Sequence, residues 1–237
     1  MTAEPPSLEL AFDLSMRRAG TEFRFAAALS EPVTAVIGRS GSGKTTLARL
    51  LAGFERPEAG FLSIGGADVV RVDEGVLEPP ERRGIGFVFQ THRVFPHLTV
   101  RENLGFAVRR CGRRSRLRVE EIASRLRIAH LLDRCASELS GGEAQRTSLG
   151  RAILSAERLL ILDEPLASLD PRLREEMLDC LGELPGFLDV PMIFITHSPE
   201  EARRLASSAL LISGGRVVFH GGLEAALSHS QYVGDTQ

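Results

Sequence analysis

The chain has 237 residues, of which 43% are hydrophobic and 25% charged, as is ordinary for a globular protein with one large domain or one domain with an inserted lobe. Its 29 Lys and Arg residues nearly balance its 31 Asp and Glu residues, so the net charge of −2 gives no argument for a nucleic-acid partner. No run approaches the roughly 18 apolar residues needed to span a bilayer, which argues against a membrane-embedded chain.

The N-terminus predicts no secretory signal peptide. Residues 1–10, MTAEPPSLEL, contain glutamate and two prolines where a signal peptide has basic residues and an apolar run. The three cysteines, Cys111, Cys135 and Cys180, are widely spaced and form no C-x-x-C pair. Both features predict a reducing, cytoplasmic environment in which any membrane role is exercised through a partner.

The pattern of apolar residues predicts a sheet that is mainly parallel. Alternating apolar residues indicate an N-terminal antiparallel hairpin with strands around 8–14 and 23–29 and a turn at RRAG. A last hairpin is expected around Gly214–Gly215. Short continuous apolar runs, which are typical of buried parallel strands, occur at 33–37, 85–89, 159–162, 192–195 and 209–212. Helical patterns separate most of these runs, so we expect an α/β fold with antiparallel additions.

Residues 91–155 contain no strand-like run and predict a helical lobe. Thr99 with Glu102 caps one helix, residues 119–128 form another, and Ser140 begins a third. The segment 109–118, RRCGRRSRLR, holds six arginines. A solvated, flexible face is favoured for it over contact with phospholipid headgroups, nucleic acid or an acidic partner.

The sequence GRSGSGKT, from Gly38 to Thr45, matches the phosphate-loop pattern G-x-x-x-x-G-K-[ST]. We call these residues the phosphate loop. It lies between a predicted buried strand and a helix, which is the context that the pattern requires. Its glycines leave backbone N–H groups free to surround phosphates, Lys44 reaches the β- and γ-phosphates, and Thr45 offers a hydroxyl to Mg²⁺.

Four polar residues follow predicted parallel strands and are expected to meet at one edge of the sheet. The strand LLILDE ends in Asp163, placed to hold Mg²⁺, and Glu164, which can activate the attacking water. Gln90 follows the run IGFVF, and His197 follows MIFIT. Each alone is more often an ordinary surface or cap residue, but together with the phosphate loop they predict a nucleotide-hydrolysing site.

A second anion site without a lysine is predicted at LSGGEAQR, residues 139–146. Ser140 and Glu143 form a capping box, and Gly141 and Gly142 leave N–H groups uncovered at the positive end of a helix dipole.

The order and spacing of these motifs, with Ser168-Leu169-Asp170, resemble the ATP-binding cassette (ABC) ATPases over nearly the whole chain. The resemblance implies an α/β fold of the P-loop NTPase, ABC-ATPase type, with a mainly parallel sheet core, an N-terminal antiparallel β subdomain and an inserted helical subdomain. The implied division is a core of residues 1–90 and 156–237 and a helical signature subdomain of residues 91–155.

The resemblance also implies the cofactors ATP and Mg²⁺ and a role for each site residue. Catalysis would fall to Glu164, Gln90 and His197, the last contacting the γ-phosphate. Mg²⁺ would be held by Thr45, Gln90 and Asp163. In this family the LSGGE signature binds ATP held by the other subunit, so the second anion site would act in trans. Nucleotide contacts would come from Gly38, Arg39, Ser40, Gly41, Ser42, Gly43, Lys44, Thr45, Thr46, Ser140, Gly141, Gly142 and Asp170.

Many cassettes stack adenine on an aromatic residue of the first hairpin. In this chain no aromatic residue stands at the tip of that hairpin, so Arg17 or Arg18 is a candidate for stacking instead. Phe23 and Phe25 are interpreted as core residues.

The stretches EPPERRGIGFVFQ, VFPHLTVRENL, LLDR and DEPLASLD look most like the ATPase subunit of molybdate importers. The implied assembly is a homodimer on the cytoplasmic face of the inner membrane, bound to permease subunits and through them to a solute-binding protein, with no nucleic acid. Those ATPases usually continue into an oxyanion-binding domain, which is expected to be absent because the chain ends at Gln237.

Other readings remain open to different degrees. Import of sulfate, iron or a polyamine would use the same motifs. A DNA-repair ATPase would insert a long coiled coil before LSGGEAQR, a translation-associated protein would normally carry two cassettes, and a P-loop kinase would lack this signature; all three are disfavoured.

Overall fold

The computed structural model describes residues 9–91, 93–111 and 117–234. Within these ranges eleven strands form one sheet. The strands are β1 (Leu10–Arg18), β2 (Thr21–Leu29), β3 (Val33–Ile37), β4 (Ala59–Ile64), β5 (Ala67–Arg71), β6 (Val76–Leu77), β7 (Ile85–Val88), β8 (Leu159–Asp163), β9 (Met192–Ile195), β10 (Ser208–Ser213) and β11 (Arg216–Gly222). The α-helices are α1 (Lys44–Ala52), α2 (Val100–Cys111), α3 (Val119–Arg125), α4 (Gly141–Ser155), α5 (Pro171–Gly182), α6 (Pro199–Leu205) and α7 (Leu223–Gly234). In the part of the chain so described, no helix combines the length and apolarity that crossing a membrane requires.

The sheet combines a parallel and an antiparallel half, in the order β6-β5-β4-β1-β2-β11-β10-β3-β9-β8-β7. Strands β10, β3, β9, β8 and β7 pair in parallel, whereas β2, β1, β4, β5 and β6 pair antiparallel. The runs predicted to be buried parallel strands are confirmed, and β3, β8 and β9 are buried along their whole length. The predicted fold class, α/β with antiparallel additions, is therefore confirmed.

The N-terminal hairpin is confirmed with a tighter turn than predicted. The turn consists of Ala19 and Gly20, both at positive φ, and the strands continue through Arg17 and Arg18. Two consecutive residues at positive φ are the geometry of a type I′ turn, whose twist matches that of the flanking strands. The neighbouring meander of β4, β5 and β6, which was not predicted from the sequence, adds three strands to this half of the sheet.

The helical stretch packs against the far edge of the parallel half. Helix α4 contacts α2, α3 and β7. Two glycines allow this close packing, since a Cβ at Gly86 would lie 2.1 Å from the Ala152 carbonyl oxygen and one at Gly150 would lie 2.8 Å from the Leu104 side chain. Helix α3 ends at Arg125, three residues earlier than predicted, where Arg127 turns to φ +57°. Residues 112–116 of the arginine-rich segment 109–118, like residues 1–8, lie outside the described residues.

The carboxyl ends of four parallel strands lie side by side, in the order β3, β9, β8, β7. Each strand is followed directly or within two residues by a predicted site residue. Because parallel strands end at the same edge of a sheet, this topology collects the site at one edge.

Candidate functional site

The phosphate loop connects the end of β3 to the start of α1. Gly38, Gly41 and Gly43 adopt positive φ angles of 150°, 78° and 112°, which residues with a Cβ rarely adopt. A Cβ at Gly38 would lie 2.2 Å from the Ile212 carbonyl oxygen, so glycine is needed where β3 ends beside β10. Nothing lies within 4 Å of the position that a Cβ would occupy at Gly41. The loop therefore presents main chain, with little side-chain bulk, at the N-terminus of a helix.

Lys44, the first residue of α1, is 5% exposed and folds back over the loop. Its Nζ donates hydrogen bonds to the carbonyl oxygens of Gly38 at 2.8 Å and Arg39 at 2.9 Å. Burial lowers the pKa of Lys44, and the negative charges of Glu164 and Asp163 oppose that shift. The loop thus holds a buried cation facing two carboxylates.

The carboxylate at the end of β8 contacts the phosphate loop directly. Thr45 Oγ1 donates a hydrogen bond to Asp163 Oδ1 at 3.2 Å. Asp163 is 6% exposed, and burial raises its pKa, while the Thr45 hydrogen bond and the nearby Arg49 and Lys44 charges lower it. Two of the three side chains predicted to hold Mg²⁺, Thr45 and Asp163, are therefore in direct contact.

Glu164 lies between the two other predicted catalytic side chains. Gln90 Nε2 donates to Glu164 Oε2 at 3.1 Å, and His197 Nδ1 lies 3.9 Å from Glu164 Oε1. Glu164 has φ +47°, and its backbone N–H donates to the Ile195 carbonyl oxygen at the end of β9. Its left-handed backbone costs about 1–2 kcal/mol relative to the right-handed region. The structure therefore places Gln90 and His197 beside the carboxylate of Glu164, a residue whose backbone is strained.

The second anion site has the predicted local structure. Ser140 caps α4, its backbone N–H donates to Glu143 Oε2 at 2.8 Å, and the Glu143 backbone N–H donates to Ser140 Oγ at 3.4 Å. A Cβ at Gly142 would lie 2.9 Å from the Leu173 side chain of α5. Asp170 caps α5 by accepting hydrogen bonds from the backbone N–H groups of Arg172 and Leu173. The capping predictions are confirmed, and Gly142 neighbours the first turn of α5.

The first hairpin offers an aromatic ring beside the phosphate loop. A Cβ at Gly43 would lie 3.2 Å from the rings of Phe23 and Phe25. Phe25 is fully buried as predicted, but Phe23 is only half-buried and borders the loop. Arg18, one of the two candidates for stacking on a base, forms an ion pair with Glu55 at 2.8 Å.

Several residues that join these motifs were missed in the sequence. Gln145 on α4 donates to the Pro165 carbonyl oxygen at 2.5 Å, directly after Glu164. Thr196, next to His197, donates to Glu201 Oε2 at 2.5 Å. Ser198 caps α6 and Glu201 is the third residue of that helix, which is capping-box spacing, and this signal could have drawn attention to Glu201.

The donor and acceptor groups of the site suit a chain of phosphates with a divalent cation. Ser42 Oγ, in the middle of the phosphate loop, is buried and has no hydrogen-bond partner among the described residues. Thr45 and Asp163 supply the oxygen ligands that Mg²⁺ prefers, and such sites usually complete the metal's coordination with water and substrate phosphates. The residues present therefore fit both groups.

Comparison with solved structures supports the fold. The ATP-binding cassette of an ABC transporter, in its ADP conformation, superposes with a TM-score of 0.77 and 23% identity, covering 95% of this chain and 97% of that one. CbiO1 of Clostridium perfringens, part of an ABC transporter complex, gives a TM-score of 0.76 and 24% identity, covering 96% of this chain and 93% of that one.

Curated relatives are more similar in sequence. The molybdenum import ATP-binding protein ModC of Paramagnetospirillum magneticum is 43% identical over 218 residues, which is 91% of this chain and 60% of that protein. ModC 1 of Azotobacter vinelandii is 46% identical over 193 residues, 81% of this chain and 54% of that protein. The chain thus spans between 54% and 60% of the length of these two relatives.

A family model described as ABC transporter matches residues 28–167, more than half of the chain. This range includes the phosphate loop, Gln90, the signature at 139–146, and the pair Asp163 and Glu164. The chain belongs to the ABC transporter family.

Proposed function

We propose that this chain is the ATP-hydrolysing subunit of an importer, and that its solute is molybdate. The observation that carries the proposal is that three contacts meet at one sheet edge: Thr45 with Asp163, Glu164 with Gln90, and Glu164 with His197. A phosphate loop, a metal-binding pair and a carboxylate beside a polar amide are the parts that hydrolysis of a nucleoside triphosphate requires. The curated relatives, named as molybdenum import ATP-binding proteins, support the choice of solute.

Within one subunit the side chains divide the work of hydrolysis. The backbone of the phosphate loop and of the next residue, Thr46, binds the phosphates together with Lys44, and Glu164 accepts the proton of the attacking water. Gln90 orients Glu164 and the water, and His197 contacts the γ-phosphate. Thr45, Asp163 and Gln90 would hold Mg²⁺, which would supply positive charge to balance the negative charge of the phosphates.

We further propose that the active form is a head-to-tail homodimer. Ser140, Gly141 and Gly142 bind the nucleotide of the opposite subunit, and Asp170 crosses between subunits. The exposed helix N-terminus at Ser140, with its own donors and no lysine, supports a role in completing a site made elsewhere. Residues 91–155 act as the helical subdomain, which transmits closure of the dimer to an integral membrane permease. The dimer binds the permease on the cytoplasmic face of the membrane, and the permease in turn binds a solute-binding protein.

The catalytic part of the proposal is tested with Glu164→Gln and Lys44→Ala in the purified chain. Phosphate release reports turnover, and equilibrium titration with a fluorescent ATP analogue reports affinity. Glu164→Gln should keep nucleotide affinity and slow turnover by about 100-fold or more, since it removes the general base. Lys44→Ala should lose affinity, because a buried cation facing the phosphates is removed. The exposed Glu81→Gln serves as the matched control and should keep both properties. Parental turnover in Glu164→Gln would overturn the assignment of the base.

The transport part is tested in the native organism by deleting the gene and measuring solute uptake. A defect confined to molybdate, reversed by the parental chain and not by Glu164→Gln, supports the proposal. A defect confined to sulfate, iron or a polyamine would assign a different solute. Unchanged uptake, with recovery of soluble partners and no permease from detergent-solubilised membranes, would overturn the importer assignment.

A further inference from the structure

A small chamber of about 60 Å³ lies behind Glu164 and His197. It is large enough to hold water. Its walls bring together the two catalytic side chains with a cation from α5, Arg174, and an anion from α6, Glu201. Neither Arg174 nor Glu201 has a role in the proposed chemistry.

Glu201 ties together the residues on both sides of His197. Its side chain is 12% exposed and accepts a hydrogen bond from Thr196 Oγ1 at 2.5 Å. Thr196 Oγ1 in turn accepts from the Ser198 backbone N–H at 3.0 Å. Ser198 Oγ closes the ring by accepting from the Glu201 backbone N–H at 3.3 Å. The backbone that carries His197 is therefore fixed through the carboxylate of Glu201.

Arg174 links the same carboxylate to the residue before Asp170. Its Nη2 donates to the Leu169 carbonyl oxygen at 3.4 Å, and its Nε lies 3.7 Å from Glu201 Oε1. Nε is buried and makes no hydrogen bond among the described residues. Because an unpaired buried donor is costly, the nearby carboxylate is the group that compensates it. One guanidinium thus spans the start of α5 and the start of α6.

We propose that Arg174 and Glu201 are a pair of positioning residues that couple the segment around Asp170 to the placement of His197 beside Glu164. The proposal rests on the proposed function, in which Asp170 meets the second subunit and His197 meets the γ-phosphate. Docking of the second subunit on Asp170 then holds Leu169 and Arg174, Arg174 holds Glu201, and Glu201 holds the backbone of His197. The pair makes hydrolysis depend on the arrival of the other subunit without touching the nucleotide.

The test compares turnover with nucleotide affinity in a set of matched variants. Thr196→Val keeps the shape of the side chain and removes its hydroxyl, whereas Thr196→Ser keeps the hydroxyl. Glu201→Gln and Arg174→Met remove the two charges one at a time, and Glu200→Gln, exposed on the same helix, is the control. Steady-state ATPase assays give kcat and KM, and thermal unfolding reports whether each variant is folded.

Thr196→Val, Glu201→Gln and Arg174→Met should each lower kcat by about tenfold or more with KM for ATP within about twofold, because a positioning error acts on the reaction and not on binding. Thr196→Ser and Glu200→Gln should keep parental kcat. The double variant of Arg174→Met and Glu201→Gln should be no slower than the worse single variant, since the two act as one unit. If Arg174→Met or Glu201→Gln does not fold, the comparison of Thr196→Val with Thr196→Ser still tests the proposal.

The failure of this inference is distinct from failure of the proposed function. Parental kcat in Thr196→Val and in Arg174→Met, with Glu164→Gln inactive beside them, would overturn the coupling and leave the ATPase assignment standing. Multiplying effects of the two charge variants would also overturn it. A parental chain that binds no ATP and releases no phosphate would overturn the proposed function and the coupling together.

Discussion

Replacing Arg83 by methionine tests how firmly the helix behind the phosphate loop is anchored. Arg83 is 3% exposed and donates to three main-chain carbonyl oxygens: Leu50 at 2.9 Å, Leu51 at 2.7 Å and Glu78 at 2.8 Å. Leu50 and Leu51 lie in the last turn of α1, where carbonyl groups depend on partners outside the helix. The guanidinium therefore fastens the end of α1 to the segment that leads into β7.

The size of the effect follows from the hydrogen bonds that are lost. A hydrogen bond from a charged group contributes about 1.5 kcal/mol at the low end of its range. The Leu50 carbonyl keeps a second donor, the Gly53 backbone N–H at 3.2 Å, so the main losses are at Leu51 and Glu78. We expect Arg83→Met to lower the free energy of unfolding by about 3 kcal/mol. For a chain of this size that corresponds to a fall in Tm of about 6–12 °C.

The neighbouring Arg82 provides the control, because it has the same chemistry and is exposed. Arg82→Met should change the free energy of unfolding by no more than about 0.5 kcal/mol. Urea unfolding followed by circular dichroism measures both variants, and Arg83→Lys should fall between them, since lysine keeps the charge and loses the planar arrangement of donors. Equal stability of the Arg82 and Arg83 variants would refute the assignment of Arg83 as an anchor.

Two further predictions concern the site. Asp163→Asn should raise Tm at pH 7 while abolishing turnover, because burial raises the pKa of Asp163 and its charged form therefore destabilises the folded chain. A group whose pKa is raised in the folded state stabilises the fold at pH values below its unfolded pKa, and this stability is lost as pH rises. The higher Tm of Asp163→Asn over the parental chain should therefore shrink as pH falls, which thermal unfolding measures. A lower Tm for Asp163→Asn at pH 7 would contradict this. Phe23→Ala should weaken ATP binding by about 3- to 10-fold, or about 1 kcal/mol, because the ring packs on Gly43 and supports the phosphate loop. Titration with a fluorescent nucleotide measures the change, and unchanged affinity in a folded variant would show that the ring gives the loop no such support.

The parallel half of the fold was predictable because its signals are local. Buried parallel strands are continuous apolar runs, and the runs at 85–89, 159–162 and 192–195 end within two residues of Gln90, Asp163 and His197, which the candidate site uses. The β4–β5 hairpin carried a signal too, Gly65-Gly66 between two short apolar runs, with both glycines at positive φ. It was missed because its strands are short and broken by polar residues, so no run stands out.

The sequence does not show which of two adjacent arginines is buried, or which side chains on different helices contact each other. Arg82 and Arg83 are indistinguishable in the string EPPERRG, and only packing against α1 separates them. The contact of Arg174 with Glu201 joins residues 27 positions apart, on helices whose relative placement depends on the sheet. Site residues at strand ends follow from topology, whereas the residues that hold them follow from tertiary packing.

The left-handed backbone of Glu164 has a consequence for how such a chain loses activity. A glycine at this position would relieve the backbone strain, so a substitution that removes the proposed general base would also remove a source of instability. Selection for thermal stability alone would therefore favour inactive sequences at this position. Under the proposed function, a chain with glycine in place of Glu164 would still bind nucleotide through the phosphate loop but would hydrolyse it far more slowly.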